Sequence, residues 1–473
     1  MSNNEILLMA HLMRRVGFGS TKDELNKYVK KGYDNQVDEI LDLEPNYEVS
    51  NHMINRYQPD YESPMGSSAN GATWLYRMVW SDFPFKEKIS LFWHGIFATG
   101  YAKLANGYVL ADQIRMFSKY GLGNYQDLLL HLSKDPAMII WLDNCESHKG
   151  AINENYGREL LELFSMGTGN YTEKDIKEAA RAFTGWTIAN KDYMTAKSQR
   201  DSVWPYGRLA MHFEYKDDDH DGDDKTFLGE TGKFNGEDII EIICKQKATA
   251  KFISRHIYSF FVEDEPPVPE WPYKEPNNPE AIEALSEVYF DKGYNIKEML
   301  RFLFKSKFFK SEKVWNKRVK SPIELVAGTL RITKEFSRPD KQQSLTNSHT
   351  QFMGQHAMNP PSVEGWHWGT QWLDSGTVVE RVNFSSSKLG NVNNLGIRRI
   401  IDNIKSNISN QFTPEFLIEI VLEELGAIIV SKTTKDTLND FVKSKIDSEK
   451  ALTDDNLSEL LQLVGAMPEY QRT

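Results

Sequence analysis

Apolar residues recur every three to four positions along almost the whole chain, and alternating apolar and polar residues occur only in short runs. A chain with that period buries one stripe of each helix against its neighbours, so the expected fold is mostly α: an irregular multi-helical globular structure with one short β-hairpin and long loops. Local punctuation agrees. Thr21 with Glu24 reads as a capping box for a helix ending at Gly32, and Thr172 with Asp175 opens another that buries Ile176, Ala179, Ala180 and Phe183. Pro84 to Thr99 starts with proline in its first turn and carries Ile89, Phe92, Trp93, Ile96 and Phe97 on one side, the pattern of a central helix. Further helices are expected from Gly236 to Lys245 behind an Asn235 cap, from Ala248 to Val262, and from Ser321 to Ile332. His256 lies on the apolar face of the second of these and reads first as a core histidine, with a ligand role as the alternative.

Two interruptions organise the rest. Glu263 to Glu280 contains six prolines and reads as an extended surface crossing, and Phe336 to Thr350 reads as a polar connection. Residues 1–390 are therefore expected to form a helical core with a hairpin insertion near 205–230 and the Pro-rich loop at 263–280. Residues 391–473 are expected as a C-terminal helical extension packed on it, with helices near Gly396 to Ser406, Thr413 to Leu425 and Asp454 to Val464. A chain of 473 residues can hold one large core or two to three domains. Its formal net charge of -11 argues against nucleic acid or an anionic membrane as the main partner. No apolar run is long enough to span a bilayer, and Met1 to Arg15 lacks the layout of a secretory signal, so the chain reads as soluble and either cytoplasmic, as written, or a mature form with a new Met. Cys145 and Cys244 form no metal-type pair and no disulfide framework.

The most concentrated chemistry lies between Asp217 and Asp224, where six carboxylates and His220 crowd around Gly222. From Asp217 the run matches the first half of a calcium loop, but the twelfth position, which needs a bidentate Glu, is Leu228. Three readings stand: a solvated acidic loop, an irregular calcium loop, or a transition-metal site using His220. The expected ligands are Asp217, Asp219, His220, Asp221 and Asp223, with calcium first and zinc or manganese after it. His212 to Tyr215 and Lys225 to Leu228 flank the run like two strands of a hairpin, which would make the acidic run its tip.

On the expected helix from Asn153 to Met166, Tyr156, Leu160, Leu163 and Phe164 face the core, Glu159 borders that stripe, and Arg158 and Glu162 can pair four residues apart. A carboxylate at the edge of a buried face finds a cation or keeps its proton. Glu159 is thus either a structural partner of Arg14, Arg15 or Arg181, or a general base or metal ligand facing His94 or His220. The segment Asn359 to Trp372 packs Pro360, Pro361, Trp366, Trp368 and Trp372 among glycines, either as a stacking platform for a sugar ring, with Asn359 beside it, or as a lid on the helical core. Nucleophile elbows, P-loops, dinucleotide fingerprints and HExxH are absent.

Several segments together resemble the bacterial family catalogued as domain of unknown function 1800. They include His11 to Gly19, Phe92-Trp93-His94, Asn153 to Leu163, Gly169 to Thr172 and Ala180 to Trp186. His220-Asp221 with Lys225 to Gly229, Ala248 to Ile253, Lys320 to Glu324, and Gly354 through Trp366 complete the set, which covers roughly residues 8 to 388. The resemblance implies no settled activity. It implies members that are often exported and encoded beside another uncharacterised family, which points to cell-surface work. The chain departs from the family in showing no signal peptide, in having Phe164 where relatives carry histidine, and in having Gln246-Lys247 where relatives have His-Pro. Any metal role of those histidines does not carry over here.

The expectation is a metal-assisted, hydrolytic enzyme acting on a polar polymer such as a polysaccharide or cell-surface glycan, with Glu159, His94 and Arg158 as catalytic candidates. The rival is a non-catalytic, calcium-stabilised binding or scaffold protein. The enzyme requires His94, Glu159, His220 and Asp221 around one cavity, and the scaffold leaves them apart.

Overall fold

A computed structural model describes residues 3–43, 67–189, 211–266, 274–336, 342–408, 412–445 and 452–473. The chain is mostly helical, and among the described residues the only sheets are two antiparallel pairs of three-residue strands. The expected helix boundaries hold closely. Thr21 with Glu24 and Thr172 with Asp175 both close capping boxes, starting helices over Lys22–Lys31 and Glu173–Ala182. Helices over Pro84–Ile96, Gly236–Cys244, Lys247–Phe261 and Pro322–Thr333 follow the apolar periods, the last behind a Ser321–Glu324 capping box. Parts of two expected features, 205–210 and 267–273, lie outside the described residues.

The Pro84–Ile96 helix is buried on nearly every side. Trp93 stacks on Phe97 with ring centroids 5.1 Å apart, and Phe92 meets Phe260 edge-on at 5.2 Å. Phe164 joins this aromatic core, fully buried and edge-on to Phe97 at 5.5 Å, so it is a packing residue here. The Ser375–Leu389 and Asp454–Ala466 helices pack on each other, and the Val319–Arg472 bridge joins the last residues to the strand-like entry of the Pro322–Thr333 helix. Among the described residues no helix is long and apolar enough to cross a membrane.

Two expectations need correction. The acidic run is not a hairpin tip. Phe213–Tyr215 pairs with Trp186–Ile188, Trp186 opposite Tyr215, while Lys225–Phe227 pairs with Glu230–Gly232. The run instead crosses from one small sheet to the other. The polar connection at 336–350 is in large part a helix, Gln342–Phe352, whose inner face is made of Thr346, Asn347 and Thr350 rather than apolar residues.

Candidate functional site

The acidic run is fastened by protein cations. Asp217–Asp219 forms a single 3-10 turn, and the chain then passes over Gly185, where φ is +79° and a Cβ would collide with the Lys216 carbonyl oxygen. The Asp221 carboxylate accepts from Arg181 Nε at 2.7 Å and Nη2 at 3.2 Å, while its own N–H donates to Thr184 Oγ1 at 2.8 Å. Burial opposes ionisation of Asp221, but the Arg181 hydrogen bonds and charge outweigh it and hold the carboxyl below its ordinary pKa. Asp219 pairs with His148 Nδ1 at 2.6 Å, and Lys225 Nζ donates to the carbonyls of Asp221 and Asp223. The His220 Nδ1–H donates to the Thr184 carbonyl at 3.0 Å. Asp217, Asp219, His220, Asp221 and Asp223 are thus turned to separate protein partners or to solvent. Among the described residues no group of three or more His, Cys, Asp or Glu side chains converges on a point where an ion could sit. The residues present do not fit a calcium, zinc or manganese centre, which needs several oxygen or nitrogen donors at one point.

The Asn155–Glu162 helix is shorter than expected and carries Glu159 at the edge of its buried face. None of the expected arginine partners reaches Glu159. Arg14 donates to the Gly426 carbonyl, Arg15 to that of Val314, and Arg181 to Asp221 and Glu178. Arg158 does not pair with Glu162 either. It forms a fork on Glu173 at 3.0 and 2.9 Å and touches Glu154 at 3.4 Å, while Glu162 accepts from the Tyr171 hydroxyl at 3.2 Å. No hydrogen-bond donor among the described residues meets the Glu159 carboxylate. Burial, then the charge of Glu162, with Glu364 adding to them and Arg158 opposing, pushes its pKa from 4.5 up to about 7. Glu159 is only half-buried, so a proton it holds remains within reach of solvent or substrate.

Glu364 comes from the aromatic loop, whose path explains the other candidates. Met358 sits at φ 62°, left-handed for a residue with a side chain, and is held from both sides: its N–H donates to His94 Nε2 at 3.1 Å and its carbonyl accepts from the Tyr101 N–H at 3.0 Å. Asn359 Oδ1 accepts from the Ala102 N–H at 3.0 Å, so Asn359 braces the backbone. Gly365, at φ +79°, lies against the Gly95 carbonyl where a Cβ would not fit. His94 is completely buried, edge-on to Trp366 at 5.2 Å, and burial drives its pKa down to about 3. With Nε2 accepting, its proton sits on Nδ1, and the ring is a neutral strut under the loop rather than a base. Trp366 and Trp372 are each only 5% exposed and pack with Val319, and Trp368 lies against Gly95 and Phe260. Two of the three rings therefore present no open face, and the lid reading of this segment describes them.

The structure thus brings Glu159, Glu162, Tyr171 and Glu364 to one acidic patch beside the aromatic loop, and leaves His94 beneath that loop. His220 and Asp221 are tied to Thr184 and Arg181 instead. Glu364 escaped the sequence reading because nothing along the chain links it to Glu159, and only the bend at Met358 to Gly365 carries it there.

The family model described as Protein of unknown function (DUF1800) matches residues 11–472, nearly the whole chain. The chain belongs to this family. No curated protein and no solved structure matches it.

Proposed function

We propose that this family member is a hydrolase of a neutral polar polymer, such as a cell-surface glycan, with Glu159 as the proton donor or acceptor. The observation that carries the reading is Glu159 itself: a half-buried carboxyl with no hydrogen-bond donor among the described residues and a pKa raised to about 7, next to the second carboxylate Glu162 and facing Glu364. A general acid or base works best when its pKa lies near the working pH, and unequal environments for neighbouring carboxyls separate the proton donor from the charged partner. Glu162, held by the Tyr171 hydroxyl, is the candidate for that charged partner. Glu162 and Glu364 both act on Glu159 as like charges, which disfavours an anionic polymer at this point. Arg158, committed to Glu173 and Glu154, positions the helix rather than touching the reacting atoms.

A screen of neutral polysaccharides read by new reducing ends tests the proposal. Parent protein should release ends with an activity limb near pH 7, and Glu159→Gln should abolish them while remaining folded. Equal release by parent and Glu159→Gln would remove Glu159 from the chemistry.

A second reading, a non-catalytic scaffold or binding protein of the cell surface, is favoured by the separation of His94, His220 and Asp221 from Glu159 and by the packing roles of His94, Asn359, Trp366 and Trp372. It expects no turnover by the parent on any polymer, with binding retained in Glu159→Gln.

A further inference from the structure

The Ser67–Trp80 helix turns through Phe83 into the central Pro84–Ile96 helix, and beside that turn lies a cleft of about 1020 Å³. Its walls come from the Asn3–Val16, Tyr33–Asp42 and Gly107–Tyr120 helices, with Arg331 of the Pro322–Thr333 helix at one side. That volume is at the upper end for small-molecule sites, which combine apolar walls with a few placed polar groups. Met13, Ile40, Phe83, Phe85, Ile114 and Leu122 supply the apolar wall. Glu159, Glu162, Tyr171 and Glu364 do not line the cleft, so it is separate from the proton chemistry proposed at Glu159.

The polar groups left open in this cleft are mostly donors. Arg331 spends Nη1 on the carbonyls of Met78, Val79 and Ser81 at 3.1, 2.9 and 3.1 Å. Its Nε and Nη2 have no protein acceptor among the described residues, and they are not sealed in as the unpartnered nitrogens of Arg14 and Arg15 are, so they face the open space. Gln36 is 4% exposed, and its amide has no hydrogen-bond partner among the described residues: the oxygen is closed off and the nitrogen stays open to the cleft. The Tyr28 and Ser118 hydroxyls on the same walls are also without a protein partner among the described residues. A largely buried amide or guanidinium normally finds its acceptor within the fold, so donors left facing a cleft point to an acceptor that comes from outside.

The charge of the cleft has the sign opposite to that of the chain. Arg77, Lys86, Arg115, Lys119, Lys297 and Arg331 line it against Glu39, Asp82 and Glu87, in a protein of formal net charge -11. Among the described residues behind the wall, Asp112 pairs with Arg115, Asp42 with Lys297, and Lys31 with Glu39, which reduces the basic excess without reversing it. Glu24 and Asp82 are the acids whose charges reach Arg331. Glu24 is already held by Lys334 and the Thr21 N–H, and Asp82 is exposed to solvent.

We infer that this cleft binds a small anionic amphiphile, a carboxylate or phosphate head on an alkyl chain, with the head at Arg331 and the chain against the apolar wall. The head accepts from Arg331 Nε and Nη2, neighbouring donors on one guanidinium edge whose spacing matches two oxygens of such a group. The chain covers Ile40, Phe83 and Leu122 and takes their apolar surface out of water.

Isothermal titration calorimetry of the full chain with octanoate, octyl phosphate, octanol and octyltrimethylammonium separates head from chain, and carboxylate from phosphate. At least one of the two anions should bind saturably at a single site, with octanol and the ammonium weaker by about tenfold or more. Leu122→Trp, which fills the cleft and leaves Arg331 in place, should abolish that binding. Arg331→Gln should weaken it by about tenfold to a hundredfold, the loss expected for hydrogen bonds to a charged group. Because Arg331 also braces the end of the Ser67–Trp80 helix, Leu122→Trp decides the matter if Arg331→Gln does not fold. No saturable binding of either anion, equal binding of octanol or of the ammonium, or anion binding unchanged in Leu122→Trp overturns the inference.

Discussion

Replacing Glu159 by Gln should make the protein more stable at pH 8 and leave it nearly unchanged at pH 5. The sign follows from the direction of the shift. With an unfolded pKa of 4.5 and a folded one of about 7, the folded chain holds a proton across that window that the unfolded chain releases. Stability therefore falls as pH rises from 4.5 through 7 and is flat above it. Carried over in full, that gap would correspond to roughly 3 kcal/mol, at about 1.4 kcal/mol for each pH unit. Solvent reaches the half-buried side chain and screens its neighbours, which reduces the expected effect to about 1–2 kcal/mol. Gln keeps the shape and never ionises, so the variant loses the slope. Urea unfolding of parent and variant at pH 5 and pH 8, read by tryptophan fluorescence, measures the difference directly. A gain at pH 8 with lost turnover is the signature of a strained functional carboxyl. A variant equally destabilised at both pH values would refute the reasoning, since it would mean that Glu159 accepts a stabilising bond.

Glu324→Gln removes the negative centre between Lys88 and Arg318, and should cost about 3–5 kcal/mol in denaturant unfolding, as the loss of one partner in a buried ion network does. Asp221→Asn weakens the Arg181 clamp, and faster amide hydrogen exchange over 216–228 should follow while the Pro84–Ile96 helix keeps its protection. Because Arg181, His148 and Lys225 already offset the acidic run, calcium, zinc and manganese should leave the melting temperature within error of a chelator control. Trp366→Ala should destabilise by about 3–5 kcal/mol, and acrylamide should quench Trp366 and Trp372 poorly in the native protein.

Much of the helical scaffold is legible along the chain because its signals are local. A threonine that accepts from the N–H three residues on, as Thr21 and Thr172 do, declares a helix start without reference to the rest of the molecule. The misreadings have non-local causes. Trp186–Ile188 is a three-residue strand buried on both faces, so it shows no alternation, and its partner at Phe213–Tyr215 lies beyond a long intervening segment. The Gln342–Phe352 helix buries Thr346, Asn347 and Thr350, with Asn347 packed closely on Gly71, and a polar inner face defeats any search for apolar periods. The site divides in the same way. Helical geometry places Glu159 beside the buried stripe, but its missing donor and its neighbour Glu364 emerge only once the loop folds back. The acidic run misleads because composition records charge and not the cations that tertiary structure supplies to it. Trp366 and Trp372 resemble a binding platform in sequence because a ring that stacks on a ligand and a ring that fills a core are the same residue.

The central claim rests on the protonation state of one side chain. Carbon-13 NMR of protein labelled at glutamate Cδ, with Glu159→Gln used to identify the resonance, follows that carboxyl through a pH titration. A midpoint near 7 for Glu159 is the expected result. A midpoint at or below 4.5 would contradict the account, because a carboxylate ionised so readily is well solvated or has a donor or cation beside it, and holds no proton to give at neutral pH.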